Sequence, residues 1–514
     1  MLAASLSASL FGLHADLVRV EVDAARGVPS FELVGLAEAA VRESRVRVKS
    51  ALAQVGVDIS EYRIVVNLAP ADVRKAGSGF DLAIATAALT ALGAVPPGPL
   101  SDALFLGELS LTGRVHRVRG VLPKLLGARA RGVARAVVPV ENDGEAGLVH
   151  GIDVYTVATL GDLLGALRGE SELARASPGA PAIAAEPVED LADVRGQPSA
   201  RRALEIAAAG AHNLLMIGPP GGGKTMLARR LPGILPQLTF DEALEVAAVH
   251  SVAGLLAPAR RLPLARPFRA PHHTVSEYGL VGGGDHVRPG EVSLAHHGVL
   301  FLDELAEFRR GALESLRQTL EDGTVTISRV VGRATYPARP LLVAAMNPCP
   351  CGYLGDAAGR CACRAEQIRT YRGRLSGPLL DRIDLHVALP PLTVAALQGA
   401  APGAAESTAA VRARVEAARA LQRDRRARRE TSSSVNALLT GRELERVASL
   451  DDGGSRLLAR AVSRLGLSAR AYGKVVRVAR TIADLDGATA VQPAHVAEAI
   501  GLRLLDRAPP ARAA

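Results

Sequence analysis

The stretch Gly218-Pro219-Pro220-Gly221-Gly222-Gly223-Lys224-Thr225 lies between an apolar run, Leu214 to Ile217, and a helical pattern, Met226 to Leu231. It matches the P-loop pattern G-x-x-x-x-G-K-T in the strand-to-helix context that this motif requires. The glycines let backbone N–H groups surround a β-phosphate, Lys224 can reach the β- and γ-phosphates, and the Thr225 hydroxyl can hold Mg²⁺. A chance glycine-rich turn is the alternative, but the flanking pattern favours a nucleoside triphosphate site.

A second apolar run, Val299 to Leu302, ends in two carboxylates, Asp303 and Glu304. A strand that lies parallel to the P-loop strand would bring both side chains to the phosphates. We expect Asp303 to join the Mg²⁺ shell and Glu304 to polarise the water that attacks the γ-phosphate. An exposed turn is the alternative for such a pair taken alone. Together with the upstream P-loop, the pair predicts hydrolysis of a nucleoside triphosphate.

Length and composition limit the classes of protein that fit. A chain of 514 residues is too long for one core, so two or three domains are expected. Its 48% hydrophobic and 3% aromatic residues suit an Ala-rich and Val-rich α/β protein. The net charge of +9 permits a polyanionic partner, but it gives only weak support for nucleic-acid binding. Neither residues 1–15 nor the proline-broken run 82–101 fits a signal peptide or a membrane span, which predicts a cytoplasmic protein without membrane contact.

Residues 1–168 predict an α/β domain without a P-loop of its own. Within it, Lys75 to Gly79, Gly107 to Val115 and Gly120 to Leu126 resemble the proteolytic domain of Lon proteases. That resemblance implies a Ser–Lys dyad, but the nucleophile position falls on Gly79 and the lysine position on Leu122. Neither residue can do this chemistry, so we interpret the domain as non-catalytic. A shifted dyad of Ser78 and Lys124 is the alternative.

Several further segments resemble the magnesium-chelatase-like AAA+ ATPases of the bacterial ComM/YifB type. They are Phe268 to Thr274, Gly282 to Gly284, Pro289 to His296 and Leu467 to Arg470, and Asp193 to Gln197 resembles the adenine-side box of AAA+ ATPases. The resemblance covers essentially the whole chain. It implies an α/β fold in which a Lon-like domain precedes an AAA+ module, with a P-loop αβα core and an α-helical lid. The corresponding domain boundaries are 1–168 for the Lon-like domain, 169–188 for a linker, 189–390 for the ATPase core, 391–508 for the lid and 509–514 for a tail.

The same resemblance implies roles for residues after the carboxylate strand. Asn347 ends an apolar run as the sensor-1 residue does, and its amide would hold the attacking water or the γ-phosphate. Arg382 would be the arginine finger that reaches a neighbouring subunit's nucleotide, and Arg470 the sensor-2 arginine of the lid. For Arg382, an ion pair with Asp381 or Asp384 is the alternative. ATP, Mg²⁺ and a homo-hexameric ring follow from these roles.

A hairpin signal, residues 325–330 and 334–342 around Val331-Gly332-Arg333, precedes the Asn347 run. In this family such a hairpin projects into the central pore, where Arg329 and Arg333 would be basic tip residues that contact DNA. Simple solvation of each arginine is the alternative. The arginine-rich helix at residues 412–429 is expected to expose a solvated face, with weak DNA contact as the alternative.

All four cysteines of the chain lie in two C-x-C pairs, Cys349 with Cys351 and Cys361 with Cys363. The clustering favours a zinc site, although the usual tetrathiolate spacing is C-x₂-C, and reduced free thiols remain the alternative. Disulfides are not expected in a cytosolic ATPase. His272 and His273 suggest a hydrogen-bonding loop in preference to a metal site, because adjacent side chains in an extended chain point apart.

These observations predict an ATP-hydrolysing ring motor that acts on single-stranded or branched DNA, similar to the ComM-type branch-migration helicases that support recombination during natural transformation. A chelatase-type motor that remodels a protein partner is the principal alternative. An ATP-dependent peptidase is a further alternative, against which the missing dyad residues argue.

Overall fold

The computed structural model of the chain describes residues 1–35, 38–75, 77, 79–96, 98, 100, 102–182, 189–256, 261–284, 287–329, 332–356, 358–391, 406–503 and 505. The strands are β1 Leu2–Phe11, β2 His14–Arg26, β3 Ser30–Val34, β4 Tyr62–Ala69, β5 Leu104–Phe105, β6 Glu108–Leu109, β7 Val115–His116, β8 Arg135–Pro139, β9 Asp153–Val157, β10 Ala174–Arg175, β11 Ala180–Ala182, β12 Leu214–Ile217, β13 Arg261–Pro263, β14 Phe268–Arg269, β15 Gly282–Gly283, β16 Arg288–Pro289, β17 Val299–Leu302, β18 Thr324–Arg329, β19 Gly332–Pro337, β20 Leu341–Met346 and β21 Leu385–Ala388.

The α-helices are α1 Ala39–Arg42, α2 Ser44–Gln54, α3 Asp81–Ala91, α4 Val121–Ala130, α5 Asp143–Ala146, α6 Leu160–Arg168, α7 Pro198–Gly210, α8 Lys224–Ile234, α9 Phe240–Ala253, α10 Glu277–Val281, α11 Glu291–Leu294, α12 Arg310–Asp322, α13 Ala365–Arg372, α14 Gly377–Leu380, α15 Thr408–Ala427, α16 Gly441–Val447, α17 Asp452–Leu465, α18 Ala469–Leu485 and α19 Pro493–Gly501. Short 3₁₀ turns occur at Val140–Asn142, Leu191–Asp193, Leu305–Glu307 and Asn436–Leu438.

The N-terminal part is built on one eight-stranded sheet with the order β10-β9-β8-β5-β1-β2-β4-β3. The long antiparallel hairpin β1–β2 pairs Leu2 with Asp23 at one end and Phe11 with His14 at the other. Helix α3 packs on this hairpin, and every residue from Asp81 to Leu89 is buried, as expected for its uncharged Ala-rich run. The predicted α/β character of this part is confirmed.

The ATPase core is a five-stranded sheet with the order β14-β17-β20-β12-β21. All of its pairings are parallel, and the continuous apolar runs of β12, β17 and β20 are buried along their whole length. Parallel strands bring their carboxyl ends to the same edge of the sheet. The P-loop after β12, Asp303 and Glu304 after β17, and Asn347 after β20 therefore converge there.

The C-terminal helices α15–α19 pack on α7 and on one another. The predicted solvated face of α15 is present, since Arg423 and Arg426 are exposed, but other arginines of this helix point inward. Arg419 donates to the Ala208 carbonyl, and Arg425 forms a buried ion pair with Asp484. The long arginine stems cover apolar surface while their charged ends bond the neighbouring helices.

Part of the predicted linker forms two short strands. Within residues 169–188, β10 pairs with β9 and β11 pairs with β13 of the ATPase part, whereas residues 183–188 lie outside the described part. One apolar core also joins the two parts, since Leu122 and Leu125 of α4 cluster with Leu238 and Val246 around α9. The N-terminal domain is thus packed on the insertion that follows the P-loop helix.

The predicted hairpin exists, but its turn is displaced from the predicted one. Strands β18 and β19 pair Ser328 with Arg333 and Arg329 with Gly332, so Gly332 and Arg333 are strand residues. The connection is residues 330–331, which lie outside the described residues. The second strand ends at Pro337 instead of running on to residue 342, and β20 begins separately at Leu341.

Candidate nucleotide site

The P-loop connects β12 to α8 with the backbone conformations that its glycines permit. Gly221 and Gly223 have φ values of +74° and +85°, a region that disfavours residues with a Cβ. A Cβ on Gly218 would lie 2.8 Å from the Leu389 carbonyl oxygen, so that position also requires glycine. Lys224 opens α8 and Thr225 follows it, which places both at the positive end of a helix.

Lys224 is buried at the centre of the site. Its Nζ donates to the carbonyl oxygens of Gly218 at 2.7 Å and Pro219 at 2.9 Å, and to Asn347 Oδ1 at 3.1 Å. Burial lowers the pKa of Lys224, while the charges of Asp303 and Glu304 act in the opposite direction. The structure therefore brings the predicted P-loop lysine and the predicted sensor residue into direct contact.

The two carboxylates take different positions. Asp303 Oδ2 accepts from the Thr225 hydroxyl at 2.7 Å, and Asp303 Oδ1 accepts from the Glu304 backbone N–H at 2.9 Å. This hydroxyl and carboxylate are the oxygen ligands that Mg²⁺ prefers. Glu304 has a left-handed backbone with φ of +52°, which is uncommon for a non-glycine residue and turns its side chain away from the path of β17.

Gln197 adds a contact that sequence reasoning missed, although its segment had been matched to the adenine-side box. Its Nε2 donates to the Gly222 carbonyl at 3.2 Å and to the Pro390 carbonyl at 2.8 Å. Its buried Oε1 has no hydrogen-bond partner among the described residues. A buried acceptor beside a P-loop fits a nucleotide, because a base amine can satisfy it.

The paired histidines lie at the same site. Their rings are 4.1 Å apart, so the expectation that the side chains point apart is wrong; the backbone turns here, and the Val275 N–H bonds the His272 carbonyl. His272 Nδ1 bonds the Thr274 hydroxyl at 2.9 Å, in line with the predicted loop role. His273 Nδ1 lies 3.2 Å from Glu304 Oε2, a contact that the sequence did not indicate.

The four cysteines form one cluster beside the P-loop. The Sγ–Sγ distances are 3.3 Å for Cys349–Cys351, 3.8 Å for Cys349–Cys361 and 3.7 Å for Cys351–Cys361, and Cys363 completes a set within 4.8 Å. Tetrahedral zinc with Zn–S bonds of about 2.3 Å needs sulfur atoms about 3.8 Å apart. The donor set therefore fits zinc.

The cysteine loop also contacts the nucleotide site. A Cβ on Gly352 would lie 2.6 Å from the Pro220 ring, so the loop and the P-loop are in close packing. Asn347 lies two residues before Cys349 in the chain, directly after β20. A change in the conformation of the cysteine loop would therefore alter its contacts with both the P-loop and the sensor position.

Arg382 lies at the opposite edge of the sheet. Its carbonyl accepts from Asn213 Nδ2 at 2.9 Å, and Asn213 precedes β12 whereas the P-loop follows it. The length of β12 therefore separates Arg382 from the P-loop of the same chain, about 13 Å for its four residues. Neither predicted ion-pair partner is used, because the guanidinium bonds Glu321 instead.

Arg470 is exposed on the first turn of α18. The pKa of Glu321 is lowered first by its hydrogen bond to Arg382 and further by the nearby charge of Arg470. The two arginines with predicted nucleotide roles thus approach the same carboxylate. The backbone of Arg329 and the exposed Arg333 lie together at the far end of the hairpin, and the side chain of Arg329 is outside the described part.

The positions of the N-terminal domain that resemble the Lon dyad lie near a contact with the ATPase part. A Cβ on Gly79 would lie 3.3 Å from Lys124 Nζ, whereas Leu122 is buried in the apolar core. Burial lowers the pKa of Lys124 to about 8 against the opposing charge of Glu145. Glu145 in turn accepts from the Ser251 hydroxyl of α9 at 2.5 Å. Ser78 lies outside the described residues.

The fold and this site define the class of the protein. A P-loop, an acidic pair and a polar residue at the carboxyl edge of one parallel sheet, followed by a helical lid, are the parts of an AAA+ ATPase module. Family models agree: "Magnesium chelatase, subunit ChlI" matches residues 190–397, "Subunit ChlI of Mg-chelatase" matches 20–142, and "Magnesium chelatase, subunit ChlI C-terminal" matches 405–503.

Relatives that match the chain over nearly their whole length identify its family within this class. The chain is 43% identical over 510 residues to the competence protein ComM of Haemophilus influenzae, with 98% of each chain covered. It is 42% identical over 498 residues to YifB of Escherichia coli, with 96% of each covered. The chain belongs to the magnesium-chelatase-like AAA+ ATPases of the ComM/YifB family, and this family membership implies ATP and Mg²⁺.

The weaker resemblance of the N-terminal domain is also found. A Lon protease of Syntrophomonas wolfei is 28% identical over 134 residues, which is 25% of this chain and 16% of that protein. In the described part of the chain, no helix is both long and apolar enough to cross a membrane.

Proposed function

We propose that the protein is a hexameric ring motor that hydrolyses ATP to move DNA, in the manner of a ComM-type branch-migration helicase that supports recombination during natural transformation. The observation that carries the proposal is the arginine-bearing hairpin β18–β19, which the ATPase core presents with Arg333 exposed near its tip. The near full-length similarity to a competence protein supports the same reading.

The residues of the site divide the chemistry of hydrolysis among them. Lys224 and the P-loop N–H groups bind the phosphates, and Asn347, which contacts Lys224, orients the attacking water. Glu304 accepts the proton of that water. Thr225 and Asp303, 2.7 Å apart, would hold Mg²⁺, which when bound neutralises charge on the phosphate oxygens.

In a ring, arginines of one subunit supply positive charge to the nucleotide that is bound by its neighbour. Arg382 cannot serve the P-loop of its own chain, because β12 lies between them and Asn213 fixes the Arg382 backbone at the far edge. Glu321 pairs with Arg382, and the exposed Arg470 lies near enough for its charge to act on the same carboxylate, so we place both arginines at the nucleotide of the neighbouring subunit. Hydrolysis then requires assembly.

The deciding experiment compares the ATPase rate of the full chain without DNA, with single-stranded DNA and with branched DNA. We expect stimulation by DNA, and DNA affinity that falls steeply as salt rises, because phosphate contacts release counterions. Arg333→Ala should lose stimulation and keep the basal rate. Arg456→Ala, which removes an exposed arginine of the lid, is the matched control and should keep both.

The second candidate is a chelatase-type motor that remodels a protein partner. The three magnesium-chelatase family models, which together span most of the chain, favour it. An active ATPase that DNA neither stimulates nor binds would place this candidate first. A peptidase is not supported, because the nucleophile position is Gly79 and the lysine position is Leu122, which is buried in the apolar core.

A further inference from the structure

The last turn of α12 holds the side chain of Arg382. Glu321 in that turn forms an ion pair with the Arg382 guanidinium. The Arg382 side chain is 15% exposed and the Glu321 side chain is 52% exposed. The hydrogen bond to Arg382 lowers the pKa of Glu321, so the carboxylate is charged at neutral pH. The guanidinium that we assign to a neighbour's nucleotide is therefore bound to a carboxylate of its own chain.

The backbone that carries this side chain is fixed as well. The Arg382 carbonyl accepts from Asn213 Nδ2 at 2.9 Å, and the next carbonyl, of Ile383, accepts from Lys474 Nζ at 3.0 Å. Because both carbonyls are bonded, the main chain at Arg382 has little freedom to move. The direction of the guanidinium is then set by the side-chain torsions, and Glu321 is the acceptor that selects among them.

The ion pair leaves part of the guanidinium available. It uses Nη2 of Arg382, whereas a guanidinium has five N–H donors in a rigid planar fork. A carboxylate on one edge can therefore hold the fork while another edge meets a phosphate. An arginine held in this way loses less rotamer freedom when it binds the phosphate. Charge that is positioned in advance is also the most effective at stabilising a transition state.

Glu321 is directly connected to the hairpin. Gly323 follows α12 with a φ of +65°, and β18 begins at the next residue, Thr324. The Gly323 carbonyl accepts from the Ala338 N–H at 2.9 Å, directly after β19 ends at Pro337. Both strands of the hairpin therefore meet the helix end that carries Glu321. A displacement of the hairpin at this end displaces the carboxylate.

We propose that Glu321 is a positioning residue that orients Arg382 toward the ATP of the neighbouring subunit, and that it links the hairpin of one subunit to hydrolysis in the next. When the hairpin engages DNA, the end of α12 shifts, and Glu321 brings the Arg382 guanidinium to the γ-phosphate. The inference rests on the proposed function: the orientation of Arg382 requires the ring, and the link to the hairpin requires DNA as well.

The first test removes the carboxylate and measures the steady-state ATPase of the full chain. Glu321→Ala should lower kcat about 10- to 100-fold, the scale on which small misplacements of catalytic groups act, and should leave the calorimetric affinity for ATP unchanged. Glu321→Gln, whose amide oxygen can still accept from Arg382, should keep more of the rate. Asp322→Ala removes the adjacent exposed carboxylate and is the matched control, which should keep the wild-type kcat. A Glu321→Ala chain with a wild-type or higher kcat would overturn the proposal.

The second test asks whether Glu321 acts on the neighbouring subunit. Glu321→Ala keeps its own P-loop, and Lys224→Ala keeps both Glu321 and Arg382. A mixed ring of these variants contains complete sites and should be more active than the sum of the separate chains. Mixing Glu321→Ala with Arg382→Ala should give no gain, because neither chain supplies an oriented arginine.

A structural defect confined to the Glu321→Ala chain would not be relieved by Lys224→Ala. Mixed rings that form without a gain in rate would therefore show that Glu321 does not position Arg382. A failure of the proposed arginine finger appears separately, as an Arg382→Ala chain with the wild-type kcat.

The link to the hairpin is tested with single-stranded DNA. The ratio of the stimulated to the basal rate should fall toward one in Glu321→Ala, while DNA affinity measured by fluorescence anisotropy stays at the wild-type value. Asp322→Ala should keep the wild-type ratio. An unchanged ratio in Glu321→Ala would overturn the link. If DNA fails to stimulate the wild-type chain, the proposed DNA function fails, while a lowered kcat that Lys224→Ala rescues still supports the orientation of Arg382.

Discussion

At the residue scale, Lys224 and Glu304 perform separable tasks. Lys224→Ala removes the phosphate-binding charge and should weaken ATP affinity by about a hundred-fold, the effect of losing charged hydrogen bonds. Glu304→Gln keeps the shape of the side chain but loses its basicity, so ATP should bind normally while kcat falls about 10²- to 10⁴-fold. Calorimetric binding and steady-state ATPase assays check the two effects. Normal turnover by either variant would contradict the assignment.

The buried ion pair of Asp384 and Lys474, 3.1 Å apart, fastens the lid helix α18 to the sheet beside Arg382. Burial raises the pKa of Asp384, but the charge of Lys474 and the nearby His212 outweigh it and lower that pKa well below its usual range. A lowered carboxyl pKa contributes stability above the unfolded value of about 3.9 and loses that contribution as the pH falls through the folded value.

Asp384→Asn should therefore destabilise the chain by about 3–5 kcal/mol, because Lys474 is left buried without a counter-ion. Urea unfolding followed by circular dichroism should show a constant gap from wild type above about pH 5 and a shrinking gap below it. The double variant with Lys474→Met should recover part of the loss. A gap that stays constant down to about pH 3.5 would show that the pair does not act in this way.

Residues of the site differ in how far the sequence could predict them. The P-loop and the acidic pair are local patterns whose chemistry follows from spacing, so the sequence predicts that they converge, and the structure places Thr225 Oγ1 2.7 Å from Asp303 Oδ2. The contacts of Gln197 with Gly222, of Asn213 with Arg382 and of His273 with Glu304 join distant parts of the chain. They depend on strand order and loop path, which spacing along the chain does not determine.

At the element scale, the cysteine loop predicts a measurable metal content. The purified chain should hold about one zinc, because all four thiols lie in one cluster of tetrahedral dimensions. Cys361→Ser with Cys363→Ser should lose the zinc. ATP affinity should fall in the same variant, since Gly352 packs on Pro220. Metal analysis of protein prepared without chelators checks the first effect and calorimetry the second; a zinc-free wild-type chain would contradict the prediction.

Helix α15 shows why element faces are hard to assign from composition. Its arginine density predicted a solvated face, which Arg423 and Arg426 form, but Arg412 donates to the Gly233 carbonyl and Arg414 pairs with Glu205. Their partners are carbonyls and acids on α7 and α8, which only the tertiary packing supplies. The hairpin turn was misplaced for a related reason, because strand pairing extends as far as the register allows and not as far as the sequence pattern suggests.

At the scale of the whole molecule, the N-terminal domain packs against the ATPase core. Gly12 in the β1–β2 turn approaches Ala334 of the hairpin, where a Cβ would lie 3.1 Å from the Ala334 Cβ. Glu145 of the same domain accepts from the Ser251 hydroxyl of α9, and the Gly120 N–H bonds the Ser251 carbonyl at 3.2 Å. The domain therefore contacts both the insertion and the middle of the hairpin, where Ala334 pairs with Ile327.

The last prediction concerns the assembly of subunits into a ring. Because Arg382 lies at the edge of the sheet away from its own P-loop, Arg382→Ala should bind ATP normally while kcat falls about 10³-fold or more, the scale on which arginine fingers act. Lys224→Ala should be inactive for a different reason, since it keeps the finger and loses the phosphate site.

Mixing the two inactive variants tests whether the finger acts between chains. In a mixed ring, a subunit with Arg382→Ala and an intact P-loop can sit beside a Lys224→Ala subunit whose Arg382 is intact, so some sites are complete and ATPase activity should return. The rate should depend on the mixing ratio and disappear at dilutions that dissociate the ring, as measured by sedimentation. If the mixture stays as inactive as its components while mixed rings form, Arg382 does not complete a neighbour's site, and the ring mechanism is wrong.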